Sequence, residues 1–172
     1  DPEELLQEAR KVLQIARKID PNGEDILLEQ SYLELLAAHQ QIIQNQDPNK
    51  FLNQARTILR KLSFNEPSSD FYKSMSETYL WQAEWQMKNN NKAVETINMA
   101  IMLINKSLEI EPDKAEFLAI NGHLALLKAK EEKDKTKDLA KEAEKMLEKA
   151  ITKDLLLKYY EPLLIEARNL QK

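Results

Sequence analysis

The sequence predicts an all-α protein, an α-α superhelix (solenoid) of antiparallel helix pairs, and three observations carry that expectation. Among 172 residues there are two Gly, six Pro and no Cys, and the usage leans to Leu, Ala, Glu, Lys, Gln and Asn, which is a helical composition with little sheet character. The opening stretch DPEELLQEARKVLQIARKIDP returns at Asp47 as DPNKFLNQARTILRKLSFNEP, with Leu6 or Leu52, Ala9 or Ala55, Leu13 or Leu59, and Pro21 or Pro67 at the same internal spacings. A third copy, KAVETINMAIMLINKSLEIEP, supplies Ile97, Ala100, Ile104 and Pro112, and a fourth and weaker one, KTKDLAKEAEKMLEKAITKD, supplies Ala140, Ala143 and Leu147. The landmark alanines Ala9, Ala55, Ala100 and Ala143 are 46, 45 and 43 residues apart, a period that marks stacked helical repeats.

Each element follows in order. Residues 1–21 form a half repeat, one amphipathic helix with a D-P start and a closing Pro21. Residues 22–67 form the first helix pair. Its first helix spans about Asp25–Asn45 and is apolar over most of its circumference; in its second, Asp47 caps, Pro48 suits the first helical position, and Leu52, Ala55 and Leu59 make one stripe. Pro67 then forbids continuation. Residues 68–112 repeat the plan, with a first helix over about Ser69–Asn89 that sets Tyr72, Met75, Tyr79 and Ala83 on one face. In 113–154 the first helix, Lys114–Lys130, carries Leu118, Gly122, Ala125 and Ala129 at helical spacing. Residues 155–172 begin apolar and contain Pro162, so a fresh helix is expected near Glu161, covering the open end of the stack. The alanine at the centre of each copy matters because a small side chain lets a neighbouring helix approach closely.

Charge is 25 basic against 29 acidic residues, a net of −4 with the signs interleaved, so there is no electrostatic case for nucleic acid. No window approaches 18 consecutive apolar residues, which leaves no membrane span and an expected cytoplasmic location. The Lys/Glu-dense stretch from Lys128 to Lys149 is expected to be a solvated turn and helix face. Because the chain opens on Asp1, at a repeat boundary, the expectation is a piece cut from a longer protein. Leu5, Val12 and Ile15 should then be more exposed than their counterparts in later copies.

Catalytic chemistry finds no foothold in the motifs. Without Cys there is no thiolate nucleophile or thiolate metal site, no serine sits in a nucleophile elbow, and the carboxylates lie in Lys/Glu-mixed helical stretches. His39 and His123, the only histidines, are 84 residues apart and form no metal-ligating pair on one helix, so no metal or other cofactor is expected. Tyr72, Tyr79, Trp81 and Trp85 fall in one helix. Tyr79 continues the apolar stripe as core, whereas Trp81 and Trp85, four apart, share another face and are either covered by a neighbouring helix or left as anchors in a groove.

Two helices per unit, Gly122 in LAINGHLALL, Ala100 and Ile104 in NMAIMLINKSLEIEP, and the closing Pro112 resemble the tetratricopeptide repeat, with longer units of 43–46 residues instead of about 34. The extra residues precede the second helices, around Gln44–Lys50, Lys88–Lys92 and Lys130–Lys135. The longer version resembles the extended repeats that follow the catalytic domain in some bacterial serine/threonine protein kinases. No Gly-rich phosphate loop, H-R-D or D-F-G occurs here, so any kinase domain lies outside these residues.

The resemblance implies that first helices line a concave groove. Its register places Leu28 and Tyr32, then Ser74, Thr78 and Trp81, then Glu116, Ala119 and His123 toward that groove, with Trp85 as a further aromatic candidate. The carboxylate-clamp form of the repeat needs Lys, Asn and Arg there, and none is present. The resulting expectation is a non-catalytic module that binds a protein or peptide, with no particular oligomeric state indicated. The alternative is a structural or regulatory segment that docks on its own attached domain or self-associates.

Overall fold

The computed structural model describes residues 2–62 and 67–172; Asp1, the expected cap of the first helix, lies outside them. The described residues form eight α-helices and no strand: α1 Pro2–Ile19, α2 Glu24–Ile43, α3 Asn49–Leu59, α4 Ser69–Lys88, α5 Val94–Ile110, α6 Ala115–Glu131, α7 Thr136–Lys153 and α8 Glu161–Asn169. A six-residue 3-10 segment, Leu155–Tyr160, leads into α8, and Pro162 stands in the first turn of that helix. Each helix packs on its neighbours in sequence. The most extensive contacts join α2 to α3, α4 to α5 and α6 to α7, while α2 touches α4 and α4 touches α6.

Local chemistry sets the helix ends. Asp47 Oδ1 accepts from the Asn49 amide at 2.9 Å just before α3, and the Ser68 hydroxyl caps α4 by accepting from the Phe71 amide at 3.2 Å. The C-termini of α2 and α4 are built alike. Asn45 and Asn90 take left-handed backbone, at φ 58 and 57, and each closes the same pair of hydrogen bonds. Asn45 N donates to Ile42 O and Gln46 N to Gln41 O; Asn90 N donates to Met87 O and Asn91 N to Gln86 O. Both therefore satisfy carbonyls that a helix end would leave bare.

The repeated stripes are the core. Leu52, Ala55 and Leu59 of α3, Ile97, Ala100 and Ile104 of α5, and Ala140, Ala143 and Leu147 of α7 are all fully buried. Small residues bring backbones together: the Ser76 hydroxyl of α4 donates to Ala100 O at 2.8 Å, and the Ser107 hydroxyl of α5 donates to Ser69 O at 2.8 Å. Gly122 of α6 lies so close to α7 that a Cβ there would stand 2.8 Å from Leu147 Cγ. On α4 the buried apolar residues are Phe71, Leu80 and Ala83, while Tyr72 and Met75 are only half-buried. Tyr79 is half-buried as well, with the Arg56 guanidinium 4.5 Å above its ring.

Among the described residues, helix α1 packs extensively against one helix alone. It contacts α2 and is tied there by a bidentate pair from Arg10 to Glu34 at 3.1 and 3.0 Å, whereas α3, α5 and α7 each lie between two helices. Leu5 and Val12 are accordingly 68% and 65% exposed, against a half-buried Phe51 and Ile58 and a Leu103 at 8%. Ile15 is exposed too, but its counterparts Lys61, Lys106 and Lys149 are also exposed, so that position faces solvent in every copy. The Lys/Glu-dense region is a largely exposed turn and helix face, with ion pairs such as Lys149 to Asp113 and Lys130 to Glu166, both at 2.8 Å. No described helix is long and apolar enough to cross a membrane.

Candidate functional site

The site grows from one face of the first helices. In α2 the residues Tyr32, Leu36 and His39, and in α4 the residues Glu77, Trp81 and Glu84, share the spacing i, i+4, i+7 and so line one side of each helix. They are 45 residues apart in sequence, one repeat. These two rows, with His123 of α6, Tyr159 and Tyr160 of the 3-10 segment and Leu163 of α8, enclose a cavity of about 390 Å³. Elements from nearly the whole length of the chain therefore meet around it. A second cavity of about 370 Å³ continues along the same face, lined by Leu28, Glu29, Asp70, Lys73, Ser74 and Glu116, and Tyr32 belongs to both.

At the centre His39 stacks on Trp81, with ring centroids 4.3 Å apart and planes at 24°; the His123 ring meets Trp81 edge-on at 6.2 Å and Tyr160 at 6.3 Å. Glu84 accepts from His123 Nε2 at 2.8 Å. Burial would raise the Glu84 carboxyl, but the His123 hydrogen bond and the nearby imidazole rings outweigh it and hold the group below its usual range. Burial lowers His39, against a smaller pull upward from Glu84. The Tyr160 phenol is pushed far up by burial, and Tyr159 lies against it at 4.6 Å.

Toward the second cavity stands a carboxylate-ammonium-carboxylate group. Lys73 Nζ donates to Glu116 Oε1 at 2.8 Å and lies 3.7 Å from Glu77 Oε2. Burial pulls the Lys73 ammonium down, but Glu77 and Glu116 together outweigh it and hold it above its usual range. Glu77 is pushed up to about 7, first by burial and then by Glu116, with Lys73 pulling the other way. Its Oε2 atom is buried and accepts no hydrogen bond. An acceptor left without a donor inside a protein is costly, and this one belongs to a residue that lines the first cavity.

The candidates named from the sequence divide. Tyr32, Trp81 and His123 line the first cavity, and Ser74, although nearly buried, lines the second together with Leu28 and Glu116. Thr78 does not face either: it is fully buried and accepts from Arg56 Nε at 3.2 Å, on the side of α4 that meets α3. One residue of register rotates a helix by about 100°, and here it puts Glu77 where Thr78 was expected. Ala119 is likewise buried, packed with Ala150 and Leu157. Trp85 is half-buried and lines neither cavity, so the two tryptophans do not act as one patch. The sequence reading missed Glu77, Glu84 and His39. The signal for them was the 45-residue register, in which Tyr32, Leu36 and His39 answer to Glu77, Trp81 and Glu84.

The side chains present can accept hydrogen bonds, offer aromatic faces and hold charge. Among the described residues no group of three or more His, Cys, Asp or Glu is disposed to hold a metal ion. Compared with known proteins, the chain matches no family model, no curated protein and no solved structure.

Proposed function

We propose that this chain is a non-catalytic interaction module, a tetratricopeptide-like superhelix whose concave face along α2, α4 and α6 receives a segment of a partner protein. The observation that carries the reading is the aromatic cavity assembled from α2, α4, α6, the 3-10 segment and α8, continuous through Tyr32 with a second cavity on the same face. An extended ligand fits two cavities in series better than a compact one. A difference between faces supports this too. Packing positions repeat from copy to copy, as in Leu52, Ile97 and Ala140 or Leu59, Ile104 and Leu147, whereas the cavity positions change, as in Tyr32, Glu77 and His123. A surface that reads different points of one ligand needs such variation.

On the resemblance of the repeats, the parent is a bacterial signalling protein in which the array recruits a partner, with any serine/threonine kinase domain elsewhere. Peptides selected from a random display library on the wild-type chain should weaken at least about fivefold on Tyr32→Ala, since truncating an anchoring aromatic typically costs more than about 1 kcal/mol. Tyr32 is 43% exposed, so its removal leaves the core intact. Selected peptides that bind both proteins equally would refute the groove.

One observation favours a second reading, docking on an attached domain or self-association: the open side of α1 exposes Leu5 and Val12. Sedimentation velocity discriminates. Self-association of the isolated chain that Val12→Lys abolishes would favour assembly through α1, whereas a monomer at every concentration would rule out self-association.

A further inference from the structure

The geometry points to a basic side chain, lysine or arginine, as the group the first cavity takes from a bound peptide, seated against Glu77 and the rings of Tyr32, Trp81 and Tyr159. This inference rests on the peptide-groove reading and names the chemistry of its ligand.

The first argument is the unsatisfied acceptor. Glu77 lines the cavity, its buried Oε2 atom accepts no hydrogen bond, and Lys73, 3.7 Å from that oxygen, donates to Glu116 at 2.8 Å. A cation in the cavity would offset the charge of this bordering carboxylate without displacing an existing hydrogen bond. Charge then selects the donor. From α4 the site is faced by Glu77, Glu84 and Lys73, from α6 by Glu116 and His123, from α2 by Glu29, Tyr32 and His39, and from the C-terminal segment by Tyr159 and Tyr160. Burial holds His39 below its ordinary value, so this wall adds little positive charge at neutral pH. With Lys73 the one lysine lining either cavity among the described residues, carboxylates prevail, and a cation gains where a neutral or acidic group does not.

The walls supply the second argument. Ring faces attract ammonium and guanidinium groups, more strongly as water is removed, and aromatic side chains border this cavity from three elements. Lys73 already uses one such face, with its Nζ 5.8 Å from the Tyr32 centroid. At about 390 Å³ the cavity is at the small end of ligand pockets, sized for a side chain and its adjoining backbone. The continuation past Tyr32 into a cavity bordered by Asp25, Glu29, Asp70 and Glu116 provides an acidic course for the rest of the peptide, which is why a peptide is favoured over a free amine.

The test uses the whole chain and pools of immobilised peptides, random except for a fixed central Arg, Lys, citrulline, Leu or Glu. Wild type should hold the Arg and Lys pools at least about tenfold more tightly than the citrulline and Leu pools, and Glu77→Gln, checked for helical content, should lose that preference. With Glu77 ionising at about 7, binding of the Arg pool should tighten about tenfold between pH 6 and pH 8 in wild type and stay flat in the variant. Equal binding of citrulline and arginine pools by wild type would overturn the cation inference while leaving the groove standing, a result that needs no variant. Binding of free agmatine as tight as that of the best pool would overturn the peptide source, and failure of every pool to bind would overturn the groove and the inference together.

Discussion

Glu77→Gln keeps the shape of the side chain and removes its charge, which makes it a direct measure of what burial does to this carboxyl. In the folded protein Glu77 holds its proton up to about pH 7; in the unfolded chain it releases it near 4.5. Between those values the folded state binds more protons than the unfolded one, so stability falls as pH rises and the loss is complete above about 7. At about 1.4 kcal/mol per pH unit, the interval sets a ceiling of ~3 kcal/mol, and residual water at a side chain that is 13% exposed brings the expectation to about 1–3 kcal/mol. Lys73 keeps its 2.8 Å partner Glu116 in the variant, so the substitution leaves no orphaned ammonium. Other carboxylates work in the opposite sense, Glu84 among them, being held below its usual range and so stabilising as pH rises. The quantity to measure is therefore the difference between the two proteins. Urea unfolding followed by circular dichroism should give near-equal stabilities at pH 4.5 and an advantage for Glu77→Gln that grows to pH 8. A flat difference, or a wild type that gains on the variant with rising pH, would mean that Lys73 governs Glu77 and burial does not.

Three further outcomes follow from local geometry. Gly122→Ala gains about 1 kcal/mol of helix propensity but drives a methyl to 2.8 Å from Leu147 Cγ and 3.1 Å from Met146 Cβ, an overpacking cost of about 1–3 kcal/mol, so urea unfolding should show a net loss; a more stable variant would reveal a loose α6–α7 contact. Asn90→Ala should cost about 1–2 kcal/mol because the position has φ 57, while Asn90→Gly should match or exceed wild type in the same assay; equal stabilities for Ala and Gly would contradict the left-handed cap. In a Trp85→Phe background, the emission of Trp81 should titrate with a midpoint below the ordinary histidine value of 6.5, because burial depresses the stacked His39, and His39→Gln should abolish that step; a midpoint at or above 6.5 would contradict the burial.

How much of this was legible depended on which face of a helix the residues occupy. Packing faces repeat, so four copies of one stripe placed α1, α3, α5 and α7, and the intervening segments placed α2, α4 and α6 within a few residues of their observed ends. Only the position of the extra residues before the second helices was legible; that Asn45 and Asn90 among them perform the same left-handed cap one period apart came from the structure. A face that varies from copy to copy has no internal reference. There the register had to be carried across by analogy, and a slip of one position exchanged Thr78 for Glu77, a buried hydroxyl held by Arg56 for a buried acid in a cavity wall.

The histidines show the same limit from the other side. Separated by 84 residues and judged one helix at a time, His39 and His123 had no partner, yet the order in which the helices pack sets both rings against Trp81. Helix contacts between neighbours generate that meeting without any motif to announce it. Each of α2, α4 and α6 needs only to bury its packing stripe, and the residues on the remaining side then converge. The stack is held by the repeated alanines and leucines, so the cavity positions Tyr32, Glu77, Trp81 and His123 are free to vary from copy to copy. Of the four, Glu77, Trp81 and His123 also pack or pair inside the fold, whereas Tyr32 is 43% exposed, which is why Tyr32 is the position at which a substitution should separate binding from stability.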